Sequence, residues 1–157
     1  MRLMSIAALI SEIQKVDGNT AVNPGMLRSL VRDKKVKHLY HGDKLRINAD
    51  QFPMDMNSLF GLDPSVEMPR IRSIHNAFLE VKESNPELGT SEQRIRRLIG
   101  MGKLPHIRIG NRAYVALESF DAPYNECLMY DDYQDSEEAM LEQIAKEQLA
   151  RSKKRRH

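Results

Sequence analysis

The feature that most constrains the fold is an internal repeat: the sequence aligns with itself, without a gap, when it is shifted by 68 positions. The matches fall mainly on the apolar and turn positions of the predicted elements, which chance would not favour. The sequence therefore predicts one ancestral unit used twice, in residues 1–68 and 69–136. Identical pairs include Arg2 and Arg70, Ser5 and Ser73, Glu12 and Glu80, Arg28 and Arg96, His38 and His106, Gly42 and Gly110, and Phe52 and Phe120.

Each unit begins with a predicted amphipathic helix. Apolar residues recur at helical spacing in both units, and each stripe should pack on a core. Asp17–Gly18 should end the first helix, and Asn85–Pro86 the second, because the residue before a proline avoids the helical region. The stripes are Leu3, Ile6, Ile10 and Ile13 in the first unit, and Ile71, Ile74, Phe78 and Val81 in the second.

A second, shorter helix follows in each unit. Asn23 with Pro24 is a favourable start in the first unit, and either Thr90 or Ser91 suits the N-cap in the second. The inward faces are predicted to be Leu27, Leu30 and Val31 in one helix and Ile95, Leu98 and Ile99 in the other. Because the stripe covers only one side, the opposite polar side is left for a partner.

A β-hairpin is predicted after each second helix. A two-residue turn at Gly110–Asn111 would pair Ile109 with Arg112 and mix apolar with charged residues on one face. We therefore expect a three-residue loop, 110–112, that pairs Ile109 with Ala113 and keeps one face apolar. By the same reasoning Gly42, Asp43 and Lys44 form the loop of the first hairpin, which pairs Leu39 with Ile47. This register places Arg108 and Tyr114 together on the solvent side, and likewise Tyr40 and Arg46.

The remaining segments differ from the units in composition. Residues 53–69 contain Pro, Gly, Asp and Ser, and they predict a loosely packed linker with one short turn. Residues 118–142 carry many acidic side chains and no Lys or Arg; they suit either a solvated spacer or a segment that folds over a basic face or docks a partner. A last helix starts near Ser136 and either caps the second unit or contacts a partner. The predicted divisions are 1–56, a linker at 57–68, 69–120, an acidic linker at 121–136, and a C-terminal helix with a basic tail at 137–157.

Basic residues are concentrated in the helix–hairpin part of each unit. Residues 94–112 contain six Lys or Arg and no acid, and residues 24–47 contain seven bases against two acids. Such patches bind duplex DNA because each neutralised phosphate releases condensed counterions. A solvated basic face without a partner is the alternative, but the order of helix and hairpin favours DNA.

Several function classes are disfavoured. Cys127 is the only cysteine, so an intrachain disulfide and a multi-cysteine zinc site are excluded. His38 and His41 would lie on opposite faces of a strand, which argues against a metal site. No phosphate-binding loop, nucleophile elbow or metalloprotease motif occurs, so we expect neither catalysis nor a cofactor. No apolar run reaches membrane length and no signal-peptide pattern occurs, so we expect a cytoplasmic protein.

The motif that follows the second short helix resembles a known family. Residues 96–99, Arg-Arg-Leu-Ile, are followed by Gly-Lys-Leu-Pro at 102–105 and by Ile-Gly-Asn-Arg at 109–112. This pattern is similar to the winged helix-turn-helix of the excisionase-like DNA-binding family, which is related to the MerR fold. The resemblance covers about Arg70 to Phe120 and extends to the first unit through the repeat. It implies a helix-dominated α+β fold in which two helices and a hairpin wing occur twice in tandem, followed by a C-terminal helix.

The resemblance also implies the function and its residues. Members place the second helix in the major groove and the wing on the DNA backbone or in the minor groove. They come from phages and mobile elements, and they direct a site-specific recombinase or regulate transcription. The implied DNA-binding residues are Gln93, Arg94, Arg96 and Arg97 on the helix, Arg108, Asn111 and Arg112 on the wing, and Arg28, Arg32, Lys44 and Arg46 in the first unit.

The first unit departs from the family pattern. Lys34 stands where Gly102 occurs and Lys37 where Pro105 occurs, so the usual helix stop and the usual start of the wing are absent. Gly25 replaces Gln93, which leaves fewer side chains that read bases. The first unit would then serve mainly for phosphate contacts or as a packing partner.

A different function class stays open beside DNA binding. The near-neutral net charge of +2, the acidic segment and the last helix also suit an adaptor of a recombinase or of a phage packaging complex, with weak DNA affinity of its own. The expected partners are double-stranded DNA and, through the C-terminal region, a recombinase. The sequence leaves open whether the chain forms a homo-oligomer.

Overall fold

The computed structural model describes residues 2–121, 141–142 and 144–150. The fold is α+β and about half helical, with two small antiparallel sheets of three strands each. Of the predicted acidic linker only Asp121 is described, and the basic tail lies outside the described residues. Residues 141–142 and 144–150 are helical, in agreement with the predicted last helix.

The described elements fall into two series of the same order. The first unit comprises β1 (Leu3–Met4), α1 (Ile6–Val16), α2 (Pro24–Arg32), β2 (His38–His41), β3 (Lys44–Asn48) and α3 (Phe52–Leu59). The second unit comprises β4 (Ile71–Ser73), α4 (Ile74–Ser84), a 3-10 turn (Pro86–Leu88), α5 (Glu92–Gly100), β5 (Ile107–Ile109), β6 (Arg112–Ala116) and a second 3-10 turn (Leu117–Phe120). The bounds of α1, α2 and β3 each recur 68 residues later in α4, α5 and β6.

The helix ends follow the predicted local signals. Asn23 caps α2 by accepting a hydrogen bond from the backbone N–H of Met26, and Ser91, rather than Thr90, caps α5 in the same way. Asp17 and Asn85 are the C-caps of α1 and α4, as predicted. The predicted inward residues of α2 and α5 are all buried: Leu27, Leu30, Val31, Ile95, Leu98 and Ile99.

Each sheet contains a strand that the sequence interpretation missed. The sheet order is β1-β3-β2 in the first unit and β4-β6-β5 in the second, so the hairpin is joined by a third strand. Leu3 and Ile71, predicted to belong to the helices, lie in β1 and β4. The reason is local: Ser5 and Ser73 adopt extended backbone and cap α1 and α4, so the residues before them cannot be helical.

The predicted hairpin register is wrong. In the second unit Ile109 pairs with Arg112 and Ile107 with Tyr114, across a two-residue Gly110–Asn111 turn. In the first unit Leu39 pairs with Arg46 rather than with Ile47. The prediction assumed that only one face of the hairpin would be buried, and that assumption fails in the second unit.

The second sheet is buried on both faces. Along β6, Ala113 and Val115 pack with the core of the second unit, whereas Tyr114 and Ala116 pack with the core of the first unit. Tyr114 is only 6% exposed, so the prediction that it points to solvent beside Arg108 is wrong. Arg108 instead shares its face with Ala113, its partner across the ladder.

The segment predicted to be a loose linker is part of the core. Its first residues lie in α3, and Met56 and Phe60 are both 0% exposed. The side-chain Nδ2 of Asn57, also buried, lies 2.9, 3.2 and 2.9 Å from the carbonyl oxygens of Pro53, Ser65 and Glu67, and its two N–H groups are shared among these three acceptors. The polar composition of this segment predicted a linker. The segment is nevertheless held in place, because the buried amide of Asn57 binds the chain that follows α3.

Candidate nucleic-acid interface

A groove in the second unit brings together residues from α5, the wing and the start of α4. We call it the wing groove, and its volume is about 470 Å³. Arg96 on α5 lines it together with Arg108 and Arg112 on the wing, and no acidic side chain is among its lining residues. Three arginines that line one open groove suit an anion with several oxygens, such as a phosphate. The lining also includes Ser73, Ile74, His75, Ile99, Gly100, Asn111 and Ala113.

The hairpin register accounts for the wing side of the groove. Because Gly110 adopts a left-handed conformation (φ 61°), the two-residue turn is tight and brings Asn111 and Arg112 to its tip. Arg108, opposite Ala113, then lies on the face of the sheet that packs on α4 and α5. The register that the sequence interpretation rejected is the one that turns Arg108 toward Arg96.

The start of α4 forms the third side of the groove. Ser73 caps this helix of 11 residues, and Ser73, Ile74 and His75 all line the groove. A helix N-terminus carries partial positive charge and therefore favours anions. His75 Nδ1 lies 2.8 Å from a carboxylate oxygen of Glu92. The sequence interpretation missed His75, and no sequence signal could have found it, because its position depends on how α4 packs against α5.

The other predicted residues of α5 differ in their surroundings. Gln93 and Arg97 are exposed on the side of α5 opposite its buried stripe. Arg94 is half-buried, and its guanidinium donates a hydrogen bond of 2.6 Å to the carbonyl of Leu88. That hydrogen bond directs the guanidinium of Arg94 toward the protein rather than toward a partner. We therefore assign Arg94 a structural role.

The predicted residues of the first unit also differ in their surroundings. Arg28 and Lys44 are exposed, and Arg32 is exposed with Asp33 3.7 Å away. Arg46 is half-buried and donates to the carbonyl of Leu45 at 3.1 Å. Arg32 and Arg46 thus have partners within the first unit.

The repeat allows the two wings to be compared position by position. Tyr40, which is 61% exposed, stands where Arg108 lies, and Asp43 stands where Asn111 lies. An aromatic ring and a carboxylate have thus replaced a guanidinium and an amide. The first wing is consequently less attractive to a phosphate backbone than the second.

A larger groove in the second unit has the opposite charge. Its volume is about 630 Å³, and Glu80, Glu83 and Asp121 line it together with a single base, Arg70. The guanidinium of Arg70 forms ion pairs of 2.8 Å with Glu118 and with Asp121. Because its carboxylates repel phosphate, we do not consider this groove as a nucleic-acid site.

Two further properties concern the described residues as a whole. No cluster of three or more His, Cys, Asp or Glu side chains suited to a metal ion occurs in residues 2–121, 141–142 and 144–150. Within that same part of the chain, every helix is too short or too polar to cross a bilayer.

The chain matches no known protein-family model, no curated protein and no solved structure.

Proposed function

We propose that this protein binds double-stranded DNA as a tandem winged helix-turn-helix protein of excisionase type. The single observation that carries the proposal is the wing groove, where Arg96, Arg108 and Arg112 meet beside the N-terminus of α4. Helix α5 would enter the major groove with Gln93 and Arg97, and the wing would hold the backbone. Arg112 at the wing tip would contribute affinity for any sequence, whereas Arg97 would contribute to discrimination between sequences.

The biological setting belongs to the same proposal. A small DNA-binding protein with two winged units and a basic surface suits a factor from a phage or mobile element that directs recombination or regulates transcription. Two such units on one chain cover a longer site than one unit, and linking them raises affinity without any new contact.

Salt dependence of binding to duplex DNA tests the proposal. The double variant Arg108→Ala/Arg112→Ala should reduce the slope of log affinity against log salt by about 1.8, since each phosphate contact contributes about 0.9. Lys15→Ala is the matched control, because Lys15 is exposed on α1 and lies outside the wing groove. Wild-type affinity for duplex DNA that does not fall as salt rises would refute the proposal.

A second candidate function is an adaptor for another protein, and one observation favours it. Leu141, Ile144 and Leu149 lie on the C-terminal helix and are 61%, 47% and 59% exposed. Exposed apolar side chains at helical spacing suit a partner groove. Deletion of residues 121–157 separates the candidates: DNA binding should persist in the shortened chain, whereas binding to a recombinase partner should be lost. A shortened chain that keeps both activities would rule out the adaptor role of this region.

A further inference from the structure

The two units share one layer of structure. The sheet β4-β6-β5 belongs by sequence to the second unit, yet Ile71, Ile107, Tyr114 and Ala116 on one of its faces pack into the core of the first unit. The opposite face, with Val115, packs under α4 and α5. A sheet buried between two sets of helices cannot turn relative to either set without exposing apolar surface, which is costly.

An ion cluster links the units at the edge of this layer; we call Asp17, Arg72 and Glu80 the inter-unit ion cluster. Arg72 on β4 donates two hydrogen bonds of 2.7 Å to the carboxylate of Asp17, at the end of α1, and one of 2.8 Å to Glu80 on α4. Its side chain is only 4% exposed. Burial alone would lower the pKa of Arg72, but the hydrogen bonds that it donates to Asp17 and Glu80 raise the pKa above its ordinary value.

The cluster is not a feature that the two units inherited in common. Met4 occupies the position of Arg72 in the first unit, and Asn85 occupies the position of Asp17 in the second. Glu12 matches Glu80 in the repeat, but Arg72 and Asp17 have no charged counterpart, so a single unit does not need these two charges to fold. Their placement at the junction alone points to a role between the units.

Two more contacts hold the junction. The backbone N–H of Ala21, just before α2, donates to the carbonyl of Ile71 on β4 at 2.9 Å. Gly61, after α3, lies against Pro105 at the start of the second wing, where an added Cβ would be 3.3 Å from the proline ring. The loops before α2 and before the second wing are therefore both anchored to the opposite unit.

We infer that the two units form one rigid DNA-binding body, which we call the rigid reader, and that its DNA target has two half-elements at a single fixed spacing. Arg72 is the positioning residue that helps to fix the units relative to each other. The inference rests on the proposed DNA binding. A flexible tether would accept half-elements at several spacings. A rigid pair would not, since each added base pair of B-DNA moves the second half-element by about 3.4 Å and turns it by about 34°.

A spacing series tests the inference. A binding site is first selected from random duplex DNA with the full chain, and two base pairs are then inserted or deleted at each position between the protected segments. Wild-type affinity should fall at least about tenfold when the spacing changes in either direction, a loss typical of a disrupted specific contact. Equal affinity at several spacings would overturn the rigid reader while leaving DNA binding intact.

A variant tests the part assigned to Arg72. The triple change Asp17→Asn, Arg72→Met and Glu80→Gln removes the charges together, so that no buried charge is left unpaired. It should keep the affinity for a single half-element but reduce the discrimination between spacings, while the apolar layer and the hydrogen bond between Ala21 and Ile71 retain part of it. Arg2→Met is the matched control, because Arg2 forms an ion pair with Asp50 within the first unit and is 58% exposed; it should keep the discrimination. A triple variant with unchanged discrimination would refute the role of Arg72.

A measurement without DNA separates the two proposals. Spin labels at Gln14→Cys on α1 and Glu83→Cys on α4, in a Cys127→Ser background, report the distance between the units. One narrow distance distribution is expected for wild type, and a broader one for the triple variant. A broad wild-type distribution would overturn the rigid reader even if DNA binds. A narrow distribution in a protein that binds no duplex DNA would overturn the proposed function, and the fixed spacing with it.

Discussion

Lys34 offers a direct test of how the repeat relates to backbone conformation. It follows α2 with φ of 57° and is the only non-glycine with positive φ among the described residues. Gly102, 68 positions later, follows α5 with φ of 72°. The backbone N–H of each donates to a carbonyl three residues earlier, Val31 or Ile99, at 3.0 Å. The two helices therefore end in the same way, with glycine in one case and lysine in the other.

The size of the effect follows from the conformation. A side chain in the left-handed region costs about 1–2 kcal/mol. Glycine avoids that cost, but its more flexible unfolded chain offsets about 0.5–1 kcal/mol of the gain. We expect Lys34→Gly to raise the free energy of unfolding by about 0.5–1 kcal/mol. The reciprocal change Gly102→Lys should lower it by about 1 kcal/mol through the backbone alone, because no heavy atom lies within 4 Å of an added Cβ there.

Urea unfolding followed by circular dichroism measures both changes, with an unchanged dependence on denaturant. Lys34→Ala is the matched control, because it removes the same positive charge but keeps a Cβ in the left-handed conformation. It should leave stability nearly unchanged. If Lys34→Ala stabilised the protein as much as Lys34→Gly, the gain would come from the charge, and the argument from φ would be refuted.

Three further predictions concern residues that the described structure uses internally. Asn57→Ala should lower the free energy of unfolding by about 1–3 kcal/mol, because the part-buried hydrogen bonds from its amide are lost. Chemical denaturation measures the change, and a loss below about 0.5 kcal/mol would contradict the assigned bonds. Hydrogen bonds from the backbone and then the side chain of Arg2 lower the pKa of Asp50 below its ordinary value of 3.8. The stability that this carboxylate contributes is thus present above pH 3.8 and is lost as pH falls through the lowered pKa. The stability difference between wild type and Asp50→Asn should therefore disappear in acid, and a difference that persists there would refute the linkage. Arg94→Ala should lower the melting temperature, because its hydrogen bond to the carbonyl of Leu88 is lost, and it should leave the salt dependence of DNA binding unchanged. A smaller slope of log affinity against log salt would show that Arg94 contacts DNA.

Local signals in the sequence determined much of the fold. The caps at Asn23 and Ser91 and the apolar stripes of α2 and α5 depend on residues close in the chain, and the 68-residue repeat transfers each signal from one unit to the other. For that reason the starts of these helices and the existence of both hairpins could be predicted. The concentration of arginines around α5 and the second wing was also visible, because charge density is a property of composition.

The tertiary structure decided what depends on distant contacts. In the second unit the hairpin register was mispredicted because Tyr114 and Ala116 are buried by the other unit, and no local pattern shows that a second face of a sheet will be covered. Likewise the composition of α3 predicted a linker, whereas its apolar residues fill a core. The same long-range packing turns Arg108 toward Arg96 and joins Arg72 to Asp17, since burial depends on which surfaces meet and not on the order of residues alone.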